Sequence, residues 1–220
     1  MTRTMLLLVL ISSSVTYGKA QDKNQGKIEY EVIQNLHAAL KPDQQQFKEM
    51  IPETVTDNAE IYFNGTKAKL VAKKKDHSSE EDGVKLKVQS DQDNVLATYM
   101  DVNKTYKLTD LGGGKKELQL QTHDFKGKGL GKAGSRTRNI LGLTCREVIM
   151  DGPGSKMVLW IADDLPFTGG PMGIPSDKGA ILGIESKVLK ITATAINYVP
   201  VPVAEVSIPA GVEVKEKKDK

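Results

Sequence analysis

A chain of 220 residues with 31 basic and 28 acidic side chains is too evenly balanced for a general nucleic-acid binder, which carries a clear basic excess. Its length suffices to bury roughly 70% of the unfolded surface, so the core needs no covalent staples. The one cysteine, Cys145, can make no intramolecular disulfide and reads as a small core residue in an apolar stretch.

The N-terminus reads MTRTMLLLVLISSSVTYGKAQ. Arg3 precedes an apolar run at residues 5–11, serines follow, and Gly18 and Ala20 place small side chains before Gln21. This is the pattern of a secretory signal peptide, cleaved near Ala20 and Gln21. The run is far short of the roughly 20 residues a helix needs to cross a bilayer, and no later stretch qualifies, so no transmembrane segment is expected in the mature chain. Losing Arg3 and Lys19 leaves that chain nearly neutral. The expectation is an exported protein, periplasmic or associated with the outer membrane.

Beyond the leader, alternation with period two dominates. Ile28, Tyr30 and Val32 alternate with Lys27, Glu29 and Glu31, the pattern of a strand with one wet face. Residues 35–51 carry helical spacing at Leu36 and Leu40 and again at Phe47, Met50 and Ile51. Pro42 suits a first turn and Pro52 ends the segment, so one or two short helices are expected there. Asn64 and Gly65 separate two strand patterns, a strong hairpin signal. Residues 72–82, AKKKDHSSEED, read as a solvated hairpin loop. Asn103 and Lys104 are expected to turn between strands at 95–100 and 105–108, and Gly112 to Gly114 join the latter to 118–120.

Further on, Met157, Leu159 and Ile161 alternate with Val158 and Trp160, apolar on both faces, which predicts a central, doubly covered strand. Leu189, Ile191, Ala193 and Ala195 alternate with polar neighbours. The chain ends in VKEKKDK, expected to fray. The whole reads as mainly β: a single curved antiparallel sheet, or half-open β-barrel, with one or two short helices. The organisation is a signal peptide at 1–20, one antiparallel β domain at 21–213 and a charged tail at 214–220.

Residues 129–134, GLGKAG, match the spacing of a dinucleotide-binding turn. Such a turn needs an apolar strand before it and a helix after it. Neither is present, since HDFKGK precedes it and SRTRNILGL follows. Lys132 is followed by Ala133, so a Walker-type phosphate loop fails too. The same stretch gathers Lys126, Lys128, Lys132, Arg136 and Arg138, a candidate loop for an anion or an acidic partner. Its ordinary reading is a solvated loop.

The histidines, His37, His77 and His123, show no metal-ligand spacing, and no G-x-S-x-G elbow offers a serine nucleophile. Asp163 and Asp164 are adjacent, so on an extended chain they point to opposite faces. Asn64 and Asn103 open glycosylation sequons, but turn positions explain both asparagines. No catalytic, metal or cofactor-binding residue is assigned, and no cofactor is expected.

The densest signal runs from Ile140 to Glu185. Leu141, Gly142, Leu143, Thr144, Cys145, Arg146 and Glu147 open it. Trp160 and Ile161 follow, then Asp164, Leu165 and Pro166, then Gly170 and Pro171. Gly173, Ile174 and Pro175 come next, and Gly179, Ala180, Ile181 and Leu182 close it, with Ser176, Asp177 and Lys178 inserted before that last group. This run resembles the GLPGLI family of secreted bacterial proteins. Residues 26–31 and 208–211 look like that family's two ends. The resemblance implies a half-open antiparallel barrel with the LolA-like outline of the bacterial lipoprotein carriers. It brings no catalytic residue.

The first functional expectation is therefore a non-enzymatic envelope protein, a carrier or chaperone for a lipid or other apolar small molecule. Tyr30, Leu96, Tyr99, Met157 and Trp160 are its candidate ligand-lining residues, on a concave face covered by helix and loop. The alternative is an envelope interaction protein that meets an outer-membrane partner through an edge strand or the basic stretch at 126–138. A second alternative is a hydrolase or redox enzyme built on Cys145 or a histidine.

Overall fold

The computed structural model describes residues 22–73, 78–81, 84–87, 94–125, 130–152 and 155–216. The expected leader at 1–20, His77, Lys126 and Lys128 lie outside the described residues, as do residues 217–220 of the tail.

The alternating segments fold as strands. They are β1 (Gln25–Asn35), β2 (Thr54–Asn64), β3 (Lys67–Lys73), β4 (Ser78–Glu81), β5 (Val84–Lys87), β6 (Val95–Asp101), β7 (Lys104–Gly112) and β8 (Lys115–Thr122). Then come β9 (Lys132–Ile140), β10 (Leu143–Gly152), β11 (Ser155–Ala162), β12 (Ala180–Glu185), β13 (Leu189–Asn197) and β14 (Val214–Glu216). Twelve strands form one open, curved sheet in the order β14-β8-β7-β6-β3-β2-β1-β13-β12-β11-β10-β9. Pairing is antiparallel throughout except between β14 and β8, which run parallel. β4 and β5 pair separately as a two-stranded hairpin. Among the described residues no helix is long and apolar enough to cross a membrane.

Four expectations shift. The stretch expected to be loop at 72–82 contains the end of β3 and all of β4. The tail expected to fray begins with a strand, where Val214 pairs with Leu118 and Glu216 with Leu120. The turns fall one residue off the places read from sequence. Asn64 pairs with Lys67, so Gly65 and Thr66 form the first turn. Asp101 pairs with Lys104, so Val102 and Asn103 form the next. The helical segment at 35–51 is present as α1 (Leu36–Ala39), capped where the Asn35 Oδ1 accepts the Ala38 N–H at 2.7 Å, and a 3-10 segment at Pro42–Met50. Neither contributes a buried residue, so the helices add nothing to the core.

The covering role falls to the crossover at 163–179, between β11 and β12. Ile28, Tyr30, Ile61, Phe63 and Leu159 turn one face of the sheet into the main core. Leu165 and Phe167 descend onto that face, Phe167 with no exposure at all. The inserted Ser176 fixes the crossover. Its buried Oγ accepts the Gly169 N–H at 2.7 Å and donates to the Gly179 carbonyl at 2.5 Å. Asp177 and Lys178 extend the clasp. Arg146 Nε bonds Asp163 at 3.0 Å and its Nη2 reaches Asp177 at 3.4 Å, while Lys178 pairs with Asp163 at 3.2 Å.

β6 is apolar on both sides. Met100 joins the main core, whereas Ala97 and Tyr99 face the opposite way and pack with Leu108 and Leu118. The segment after β13 crosses that second cluster, burying Val206. It is tied down by Asn64, which donates to the Val201 carbonyl at 2.7 Å, and by the Lys69–Glu205 ion pair at 2.8 Å.

Candidate binding site at the open sheet edge

β9 is the terminal strand of the sheet and is exposed along almost its whole length. The glycine-rich stretch read from sequence as a loop is thus, from residue 132 onward, an edge strand. Its glycines make room for β10. A Cβ on Gly131 would stand 2.5 Å from the Ile149 carbonyl oxygen, and one on Gly134 would stand 2.2 Å from Glu147 Oε2. Close packing therefore accounts for two of the motif's glycines, with no phosphate involved.

The contact with Glu147 organises the site. Register slips between Arg146 and Val148 of β10, so that Thr137 and Ala133 of β9 enclose a bulge. The Glu147 side chain fills it, 4% exposed. Its carboxylate accepts the Arg136 backbone N–H at 3.2 Å and the Arg136 Nε–H at 2.8 Å, with a further short contact from Arg136 Nη2. The Arg136 guanidinium holds the Glu147 carboxyl below the usual range, outweighing desolvation.

Glu147 stands directly opposite Trp160 in the sheet. The indole lies over Gly183, whose missing Cβ would meet Trp160 Cδ1 at 3.0 Å. Arg136 and Arg138 cover the ring, their guanidinium carbons 5.4 and 5.7 Å from its centroid. Cation–π contacts of this kind contribute about 0.5–2 kcal/mol each. Arg138 also pairs with Glu185 at 2.6 Å. The Trp160 Nε1–H is buried and has no hydrogen-bond acceptor among the described residues. An orphaned donor of this sort costs about 1–3 kcal/mol.

The predicted ligand-lining residues do not share a cavity. Tyr30 is fully buried and donates its hydroxyl to the Ile181 carbonyl at 3.0 Å. Met157 packs half-buried at the margin of the main core. Trp160 lies under the arginines. Tyr99 belongs to the second cluster, and Leu96 is 40% exposed. Of the five, only Tyr99 lines the cleft of about 150 Å³ formed with Lys67, Tyr106 and residues 206–208.

Of the basic stretch, Lys132, Arg136 and Arg138 lie on β9. Glu147 and Glu185 escaped sequence reasoning. They come from strands 11 and 47 residues beyond their arginines, and only the strand pairing brings them together.

A second polar cluster lies on β1, β2 and β3. Glu60, 7% exposed, accepts from Lys73 at 2.6 Å, Tyr62 at 2.7 Å and Lys27 at 3.3 Å. Desolvation pushes its pKa up, and these three donors together bring it below the ordinary value. Every partner is in place, so the cluster reads as structural. Cys145 is fully buried, its thiol pushed up to about 11 by desolvation. His37 Nε2 bonds the Ile51 carbonyl and His123 Nε2 bonds Thr105, each at 3.0 Å. Among the described residues no three His, Cys, Asp or Glu side chains converge.

Two solved structures of PNGF-II, in the C2 and P21 space groups, are similar to the chain at 15% identity, with TM-scores of 0.58 and 0.57. Each alignment covers 88% of this chain and only 31% or 32% of the other, so the chain spans about a third of the PNGF-II length. At that identity the likeness shows the fold alone. No curated protein matches the chain. Residues 45–168, which include β9, β10, β11 and Trp160, match the family model described as a domain of unknown function (DUF4412). The chain belongs to that family.

Proposed function

We propose that this member of the DUF4412 family is an exported, non-enzymatic interaction module of the cell envelope that meets a partner protein along β9. The observation that carries the reading is the open terminal strand itself, with Arg136 and Arg138 fixed over Trp160 beside it. The outward N–H and C=O groups of an edge strand are a template for an added strand. The bulge at Glu147 interrupts that template, so addition uses the regular stretch from Thr137 to Ile140. The finer resemblance to the GLPGLI family and the leader at 1–20 support the envelope setting.

A photo-crosslinker at Thr137 tests the proposal in envelope extracts. A discrete adduct is expected, lost in Arg138→Glu. Equal adducts from a crosslinker on Lys115, at the far side of the sheet, would refute it.

A second reading, capture of a small apolar molecule, is favoured by the cleft between Tyr99, Tyr106, Val206 and Ile208. At about 150 Å³ it is below the roughly 300 Å³ of an ordinary small-molecule site. The main apolar face is filled by Leu165 and Phe167, which weighs against a carrier of whole lipids. Native mass spectrometry checks this reading. A copurifying small molecule, absent from Tyr99→Ala, would support it over the first.

A further inference from the structure

We propose that β8 is a second interaction edge, covered in the single chain by β14, and that its partner is a second copy of this chain. The site lies at the opposite border of the sheet from β9 and does not depend on the function proposed for that strand.

β14 covers its border thinly. Its three residues stand opposite only Leu118, Gln119 and Leu120 of the eight residues of β8. The two strands run parallel, the slightly weaker arrangement per residue. All three residues of β14 are exposed, so its departure takes no buried side chain out of the core. Next to the ladder, the Glu213 carbonyl accepts the Leu118 N–H at 3.1 Å, and Lys215 pairs with Glu117 at 2.6 Å. A surface ion pair of this kind adds little. The chain enters β14 through Gly211, at φ +79°, with nothing within 4 Å of a Cβ built there. That turn can swivel without displacing a neighbour.

Uncovered, β8 is complementary to itself. A two-fold axis through Gln119, perpendicular to the sheet, continues the sheet antiparallel into a second copy. It sets Leu118 of each copy opposite Leu120 of the other, Glu117 opposite Gln121 and Lys116 opposite Thr122. No like charges meet directly across the strands. Leu118 is fully buried in the second cluster, and Leu120 stands opposite Tyr106, which packs on that cluster. The paired leucines therefore extend an apolar face that already exists. The same operation on β9, about Thr137, sets Arg136 of one copy opposite Arg138 of the other. Charge disfavours self-pairing at β9 and permits it at β8.

Sedimentation of the expected mature chain, residues 21–220, tests the proposal. At about 100 µM the parent should be a monomer, because a tethered strand competes at an effective concentration in the millimolar range. The variant Val214→Pro, Lys215→Pro, which cannot form the ladder, should be a dimer at the same concentration. Its Tm should stay within about 5 °C of the parent's, since no buried residue is altered. Arg138→Glu added to this variant should leave the dimer intact. A cross-link checks the register in the chain with β14 unaltered. Under oxidised glutathione, Gln119→Cys, which lies on the axis, should form a disulfide-linked dimer at least tenfold faster than Lys116→Cys, which faces Thr122 instead. The proposal is overturned if the proline variant stays monomeric, if the parent dimerises equally, or if larger polymers replace the dimer. It is equally overturned if Arg138→Glu dissolves the dimer, which would place the contact on β9, or if the two cysteine variants cross-link at the same rate.

Discussion

Phe63 and Phe167 stack with ring centroids 5.2 Å apart and 29° between their planes. One belongs to β2 and the other to the crossover, so this contact joins the covering loop to the sheet. Tyr198 closes on Phe63 edge-on at 6.4 Å. Replacing Phe167 with Ala removes a fully buried ring and should cost about 3–5 kcal/mol, read as a lower urea midpoint. Phe167→Leu should recover more than half. A loss below about 1 kcal/mol for the alanine variant would mean that the crossover is not part of the cooperative core.

Gly134 is the position where β9 yields to Glu147. Gly134→Ala would put a methyl group 2.2 Å from the carboxylate and expel it from the bulge. The Arg136 guanidinium would then lose its anchor above Trp160. Thermal unfolding should shift down by roughly 5 °C. Indole fluorescence should change at the same time, as the two cations leave the ring. An unaltered emission spectrum would show that Glu147 does not place the arginines.

Acid stability follows from the carboxylates. Burial raises the pKa of Glu60, but Lys73, Tyr62 and Lys27 bring it below the ordinary glutamate value of 4.5. Arg136 does the same for Glu147. A group with a depressed folded pKa adds stability that is fully present above the unfolded value and is lost as pH falls through the folded one. Urea midpoints should therefore hold steady down to about pH 5 and decline as pH drops below about 4. Glu60→Gln should flatten that decline. A midpoint already falling between pH 7 and 6 would point to other groups.

Cys145 should be silent in the native protein. It is fully buried and its thiol is raised to about 11, so little thiolate exists near neutrality. A thiol reagent at pH 8 should label it only after denaturant is added. Rapid labelling without denaturant would revive a thiol-based enzyme.

The strands legible from sequence are those with one dry and one wet face. Ile28 and Tyr30 are buried while their neighbours are not, and Leu189, Ile191 and Ala193 behave alike. β11 was legible for the opposite reason, because both its faces are covered: Leu159, Trp160 and Ile161 are all buried. β9 left no such trace. An edge strand wet on nearly every side chain shows no alternation, and its glycines serve packing rather than turning. β14 is three exposed residues whose place in the sheet depends on pairing with β8. The turn at Val102 fell where propensity forbids it, since valine resists the left-handed backbone that the pairing of Asp101 with Lys104 imposes. The Arg136–Glu147–Trp160 cluster is hidden in the sequence because it assembles across three strands, even though Arg136, Arg138 and Trp160 each stand out there.

β1 lies between β2 and β13, in the interior of the sheet. The first strand out of a ribosome or a translocation channel must keep one side unsatisfied until nearly all later strands have emerged. No N-terminal fragment that stops short of β13 can complete this architecture, and truncated products will display a raw, adhesive border. Folding of this topology is thus a late, concerted event with high contact order.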